Sequence, residues 1–170
     1  MSFPVNIISH LPFVMVGMIR KATEEDIPGI LELELLSLGP VWGEAGIEPD
    51  RDSLRIFTES RINLDRMILF QDERGILGFL HSLGYTDIVT DTRVREIVSV
   101  VVHPDHFGQG IGGMLIEDEY MHCKREGVKL LKLEVLSSNR RGISFYEKHG
   151  FTEAKKIMLR EVGFGGDLER

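Results

Sequence analysis

Cysteine is almost absent from this chain, with Cys123 the only one in 170 residues. One thiol excludes an internal disulfide framework and fits a reducing compartment, so a cytoplasmic location is expected. Its neighbours His122 and Lys124 are able to lower a thiol pKa, but a half-buried helix position in a 3.6-residue pattern accounts for it more simply. Positive charge is also scarce. Twenty Lys and Arg face 27 Asp and Glu, for a formal net charge of −7, and no basic run is long enough to follow a phosphate backbone. A nucleic-acid partner is therefore not expected, and an acidic protein suits a cationic substrate such as an amine. Long apolar runs are missing too. The stretch Leu11–Gly17 is far shorter than the roughly 20 residues of a membrane span, so no membrane partner is expected. No Lys or Arg precedes it, the first being Arg20, which argues against a secretory signal.

The chain length suits a single core. Residues 1–17 read as an N-terminal extension, 18–162 as one domain and 163–170 as a flexible tail. Met18–Ala22 predicts a short strand. Thr23-Glu24-Glu25-Asp26 then marks a helix start, with Thr as N-cap and an acid at the third helical position. Its apolar face continues from Ile27 to Leu38, and Gly39-Pro40 is expected to stop the helix. A loop over 40–52, a helix over 53–64 and a hairpin of 66–71 with 75–85 follow. Strands are predicted over 94–102, 130–136 and 155–162, with helices over 110–126 and 140–149. The order is mixed α/β around one sheet.

The informative region starts as Glu96-Ile97-Val98-Ser99-Val100-Val101-Val102, turns through His103-Pro104-Asp105-His106-Phe107, and opens a helix with Gly108-Gln109-Gly110-Ile111-Gly112-Gly113. Four glycines in six positions exceed what a turn needs. Without Cβ atoms, these backbone N–H groups can close on an anion, and the helix start adds its positive end. A phosphate or pyrophosphate is the expected guest. The letters Gly108-x-Gly110-x-x-Gly113 also match the dinucleotide fingerprint, with Glu134 near its ribose-binding acid. In that fold, however, the glycines follow the strand directly and further strand–helix units are needed, for which too little chain remains.

The run Val100–Leu115 resembles the acetyl-CoA loop of the GNAT superfamily of N-acetyltransferases: a strand, a His-Pro-acid turn, then Arg/Gln-x-x-Gly-x-Gly/Ala entering a helix. Gly110 and Gly112 take the two glycine positions, while Phe107 replaces the Arg or Gln. A second segment is similar to the family's other signature, Asn followed seven residues later by Tyr and then by Gly-Phe. Here it is Asn139, Tyr146, Gly150 and Phe151, with Gly142 in place of the usual Ala. The resemblance implies an α/β (α+β) domain with a central mixed, mostly antiparallel sheet flanked by helices, using acetyl-CoA as co-substrate and no metal.

By the same resemblance, residues 108–113 would hold the pyrophosphate, backbone N–H groups of Val100, Val101 and Val102 would lie near the thioester carbonyl at a strand bulge, and Asn139 would position the pantetheine arm. Tyr146 would protonate the departing thiolate. Two glutamates compete as the base. Glu96 falls where histone-acetylating members keep theirs, and Glu134 where the ribosomal-protein N-terminal acetyltransferases do. Their plainer readings are an ion pair of Glu96 with Arg93 or Arg95, and a solvated strand face that Glu134 shares with Lys132. His103 and His106 have ligand-like spacing but read more simply as turn residues. The acceptor amine, a small molecule or a protein, is not legible. The loop at Trp42 and the hairpin at 71–76 are expected to face it. A non-catalytic acyl-CoA-binding module and a dinucleotide-binding protein are the alternative functions, and a homodimer stays open.

Overall fold

The computed structural model describes residues 17–44, 48–63 and 65–155, with 41–44 given by their backbone. The expected last strand beyond Lys155, the tail, residues 1–16 and the side chain of Trp42 lie outside the described residues. The chain divides between Glu134 and Val135 into two compact units.

The first unit carries β1 (Met18–Lys21), α1 (Ile27–Glu44), α2 (Arg51–Ile62), β2 (Arg66–Asp72), β3 (Gly75–Asp87), β4 (Thr92–Val102), α3 (Ile111–Arg125) and β5 (Leu130–Leu133). The five strands lie in sequence order in one sheet. β1 to β4 are antiparallel neighbours, and β5 joins β4 in parallel after α3. The sheet is thus mostly antiparallel, as the resemblance implied. A doubly wound parallel sheet, which the dinucleotide reading requires, is not what forms.

Local chemistry explains most boundaries. Asp26 Oδ2 accepts from the Thr23 N–H at 2.8 Å and from its hydroxyl at 3.0 Å, closing the turn that leads into α1. Arg20 grips the same carboxylate at 2.6 Å and holds its pKa down at about 2. Asp50 caps α2 by accepting from the Ser53 N–H at 2.9 Å. β2 and β3 turn at Glu73-Arg74, with Gly75 at φ +121°. Two expected boundaries are wrong: β5 stops at Leu133 rather than at residue 136, and α1 runs through Pro40 to Glu44. Proline removes only one backbone donor, and the carbonyl it orphans belongs to Leu36, which is 49% exposed and open to water. The Ser37 hydroxyl also donates to Val102 O at 3.0 Å and ties this turn to β4.

Neighbouring residues of β3 show which helix covers which face. Phe79 belongs to the buried cluster with Ile30 and Leu33 of α1, Ile62 of α2 and Val101 of β4. The backbone of Gly78 meets α3 instead: a Cβ there would lie 2.8 Å from Ile111 Cγ2. Successive strand residues face opposite ways, so α1 and α2 cover one face and α3 the other. Each fully buried Ile or Leu of these layers contributes about 1.5–3 kcal/mol.

Under α3 lies a charged knot. Glu119, with no exposed surface, accepts from Arg66 Nε at 2.6 Å and the Ser82 hydroxyl at 2.7 Å, with Arg95 Nε 3.5 Å away. It fastens α3 to β2, β3 and β4 together. Cys123 sits on the same helix, buried, and burial pushes its thiol pKa up, so the flanking His122 and Lys124 do not activate it.

The second unit contains α4 (Arg140–Lys148). Asn139 Oδ1 caps it by accepting from the Gly142 N–H at 2.8 Å. Its other end closes with Gly150 at φ +83°, the Phe151 N–H on Tyr146 O at 3.1 Å and the Gly150 N–H on Glu147 O at 3.0 Å, the paired bonds of a Schellman turn. Phe145, Tyr146, His149 and Phe151 pack ring against ring around that turn.

Candidate active site

β4 is the spine of the site, and it is interrupted. In its register with β3, His81 faces Ser99 and Ser82 faces Ile97, so Val98 is an extra residue with no opposite number. The bulge flips the strand. Without it, Ile97 and Val101 would share a face; with it, Ile97 follows Ser82 toward α3 and Val101 follows Phe79 toward α1. The interruption sits at Val98, not within Val100–Val102, where the register is continuous.

Those three residues divide nonetheless. The His103 N–H donates to Leu77 O at 2.8 Å, which fixes the alternation of the ladder: Val101 directs its backbone polar groups at Phe79, while Val100 and Val102 direct theirs to the opposite edge. β5 reaches along that edge only to the Ile97–Leu133 pair. Among the described residues no strand covers it at Val100, and the Val102 carbonyl is taken by Ser37.

The strand leads into the glycine loop. His103 Nδ1 accepts from the Asp105 N–H at 3.2 Å, His106 Nδ1 lies 3.0 Å from Gln109 Oε1, and Gln109 Nε2 donates to Asp105 O at 3.3 Å. Both histidines and Gln109 are thus engaged inside the turn, with Phe107 exposed at its end. Gly108 and Gly110 take φ of +78° and +88°, values an L side chain reaches at a cost of about 1–2 kcal/mol. Gly110 is the N-cap of α3 and brings no side chain to cap it. The first helical bond is Met114 N–H to Gly110 O at 3.0 Å. The N–H groups of Ile111, Gly112 and Gly113 are therefore left without intrahelical acceptors at the positive end of a 15-residue helix. A pyrophosphate meets these requirements, so the residues present fit acetyl-CoA.

On the α2 face, a cavity of about 410 Å³ is walled by Phe57, Leu83, Ile97 and Val98, and its polar lining is Arg61, Glu96 and Glu134. The two glutamates named from the sequence thus share one pocket, beside the bulge. Their surroundings differ. Glu96 Oε2 lies 2.9 Å from Lys132 Nζ, which replaces the expected partners: Arg95 is held by Glu119 and Ser82, and Arg93 donates to the Glu126 carbonyl. The Tyr85 hydroxyl and Glu96 together raise the Lys132 pKa. Glu134 is exposed.

Sequence reasoning missed the α2 contribution. Phe57 and Arg61 are one helical turn apart, and the guanidinium stacks over the ring at 4.6 Å. Arg61 Nη1 donates to Asp65 Oδ2 at 3.2 Å, and His81 Nε2 lies 3.0 Å from the same oxygen. Burial lowers the His81 pKa in spite of Asp65, keeping the ring neutral at pH 7. An aromatic left 43% exposed on a helix otherwise anchored by Thr58 and Ile62 was the available signal. The hairpin at 71–76 does not line this pocket; Arg74, Gly75 and Ile76 border a separate groove with α1. In the second unit, Asn139 is a helix cap, and burial pushes the Tyr146 phenol pKa up.

The chain matches the family model described as an acetyltransferase (GNAT) domain over residues 63–153, a span that crosses the division at Glu134. It is 27% identical over 154 residues, 89% of each chain, to the L-methionine sulfoximine/L-methionine sulfone acetyltransferase of Salmonella typhimurium strain LT2. Over 77 residues it is 35% identical to the [ribosomal protein bS18]-alanine N-acetyltransferase of Escherichia coli K12, a match taking 45% of this chain and 51% of that protein. The solved structure of a possible acetyltransferase from Clostridium difficile 630 shares the fold, with a TM-score of 0.73 and 17% identity across 87% of this chain and 98% of that one. With more than half of its length inside the family model, the chain belongs to the GNAT acetyltransferase family.

Proposed function

We propose that the protein is an acetyl-CoA-dependent N-acetyltransferase that passes the acetyl group directly to a primary amine while both substrates are bound. The observation that carries this reading is the convergence of Glu96 and Glu134 in one pocket beside the Val98 bulge, on the strand that runs into the glycine loop. Bound acetyl-CoA supplies the acetyl group as an activated thioester. The first-turn amides of α3 hold its pyrophosphate, and Gly108 and Gly110 keep side chains out of that cradle. The Val100 amide, directed to the uncovered edge of β4, polarises the carbonyl under attack.

Attack needs a neutral amine, and amines with reference pKa values of about 8 to 10.4 arrive largely protonated at pH 7. Glu96 receives that proton, being the more sheltered carboxylate and two residues from the bulge, while Glu134 orients the ammonium. Family resemblance assigns Tyr146 the return of a proton to the thiolate. The relatives named for a methionine derivative and for a ribosomal-protein alanine support an amine acceptor of either size.

Thermal shift is the direct test. Acetyl-CoA at millimolar concentration should stabilise the protein, NAD should not, and Gly110→Asp should remove the effect. A shift with NAD alone sinks the assignment. A screen of amines for thiol release then identifies the acceptor, and Tyr146→Phe should lower kcat by about 10²–10⁴-fold with KM for acetyl-CoA little changed.

A further inference from the structure

The polar lining of the acceptor pocket is unlike that of a site for a simple amine. A monocation needs carboxylates, and Glu134 and the Lys132-paired Glu96 supply them, yet Arg61 lines the same 410 Å³ cavity. A guanidinium there repels a polyamine or a lysine side chain, and its ion pair with Asp65 occupies Nη1 alone. Arg61 is also held in place. Its Cζ lies over the Phe57 ring, 4.6 Å from the centroid, and Nη1 is fixed by Asp65 at 3.2 Å. Asp65 is in turn fixed by His81, which is 2% exposed. Asp65 engages one end of the fork, leaving donors on Nε and Nη2, a set suited to a second carboxylate. An arginine positioned from behind by stacking and by a buried histidine–aspartate pair gives up little further rotamer freedom on binding.

Resting on the acetyltransferase reading, we propose that the acceptor is a free α-amino acid. Arg61 takes the α-carboxylate, Glu96 and Glu134 take the α-ammonium, and an apolar side chain lies against Phe57 and Leu83. The α-amine is the nucleophile. The ammonium first gives one proton to Glu96; the neutral amine then forms the amide bond as the thioester C–S bond breaks, and the second proton lost from nitrogen leaves with the thiolate, giving an N-acetyl amino acid and the free thiol. The cavity is near the small end of ligand sites, which run from about 300 to 1,000 Å³, and admits such a molecule whole. A peptide or protein N-terminus has no α-carboxylate beside its amine to meet the Nε and Nη2 donors of Arg61.

Binding is tested with the full chain by calorimetry and thermal shift, in the absence and presence of CoA. The probes are the twenty proteinogenic L-amino acids, their α-amides and the matching decarboxylated amines. At least one apolar amino acid should bind, and its amide and decarboxylated amine should bind about 10- to 100-fold more weakly, the range expected when a charge-assisted pair is lost. Arg61→Gln should erase that preference for the carboxylate while keeping the thermal shift with acetyl-CoA, which shows that the fold is intact. Arg61→Lys should restore part of it. If amides and decarboxylated amines bind and react as well as the acids, or if Arg61→Gln leaves the preference unchanged, the acceptor assignment is overturned and the acetyltransferase reading stands. If acetyl-CoA gives the wild-type protein no shift, the acetyltransferase reading itself falls, and the acceptor assignment with it.

Discussion

Residues 100–113, which form the end of β4, the turn and the glycine loop, are consecutive in the chain, whereas the pocket on the α2 face draws on positions 57, 61, 83, 96–98 and 134. The loop works through backbone: its donors are amides, and its shape comes from two glycines at positive φ. The pocket works through side chains brought together by the sheet. Electrostatics divide the same way. On the α3 side Glu119 has no exposed surface and gathers two arginines and a serine. On the α2 side Glu134 is an exposed carboxylate lining an open cavity. One glutamate fastens the fold, and the other is available to a ligand.

Exchanging these two glutamates for alanine gives the widest contrast. Glu119→Ala leaves Arg66 and Arg95 short of a buried counter-charge and should cost about 3–5 kcal/mol in urea denaturation. Glu134→Ala should stay within about 0.5 kcal/mol, and an equal loss in the two variants would break the comparison. Next comes catalysis within the pocket. Glu96→Gln should lower kcat/KM by about 10²-fold at neutral pH and recover as alkaline pH supplies free amine, whereas Glu134→Gln should lose less, with little pH dependence. The reverse ranking would make Glu134 the base.

Asp26, the anchor of α1 on the pocket side, offers a pH test of about 2 kcal/mol. Its folded pKa of about 2 lies below the ordinary 3.8, so its contribution is complete above pH 4 and disappears as pH falls toward 2. Wild-type and Asp26→Asn stabilities should differ at pH 7 and converge near pH 2; a constant gap would remove the ion pair with Arg20 as the cause. A smaller change than that belongs to the loop. Gly110→Ala should cost about 1–2 kcal/mol for placing a Cβ at φ +88°. No atom lies within 4 Å of that Cβ, so any loss is conformational. Retention of the full acetyl-CoA shift in this variant would mean that the cradle tolerates a side chain.

The glycine loop was legible because its function depends on residue type at fixed spacing. The helix start at Thr23–Asp26 and the hairpin at 72–75 were legible for the same reason: each is a short-range hydrogen-bonding device. Pro40 misled because a proline near the end of a helix with solvent beside it costs one bond rather than the whole turn. The bulge at Val98 was misplaced because the run Ile97–Val102 is uniformly β-branched or small, and its register becomes visible only against β3. Arg61 was invisible because nothing within α2 separates it from an ordinary surface arginine.

By itself the sequence determined the family, the element types and the glycine loop, since these follow from local backbone preferences and contiguous motifs. Only the tertiary structure decided which side chains meet. The extra residue at Val98 reversed the facing of β4, and packing of α2 over β3 brought Phe57 and Arg61 to Glu96 and Glu134. Such convergence depends on strand register and helix placement, which no window of sequence contains.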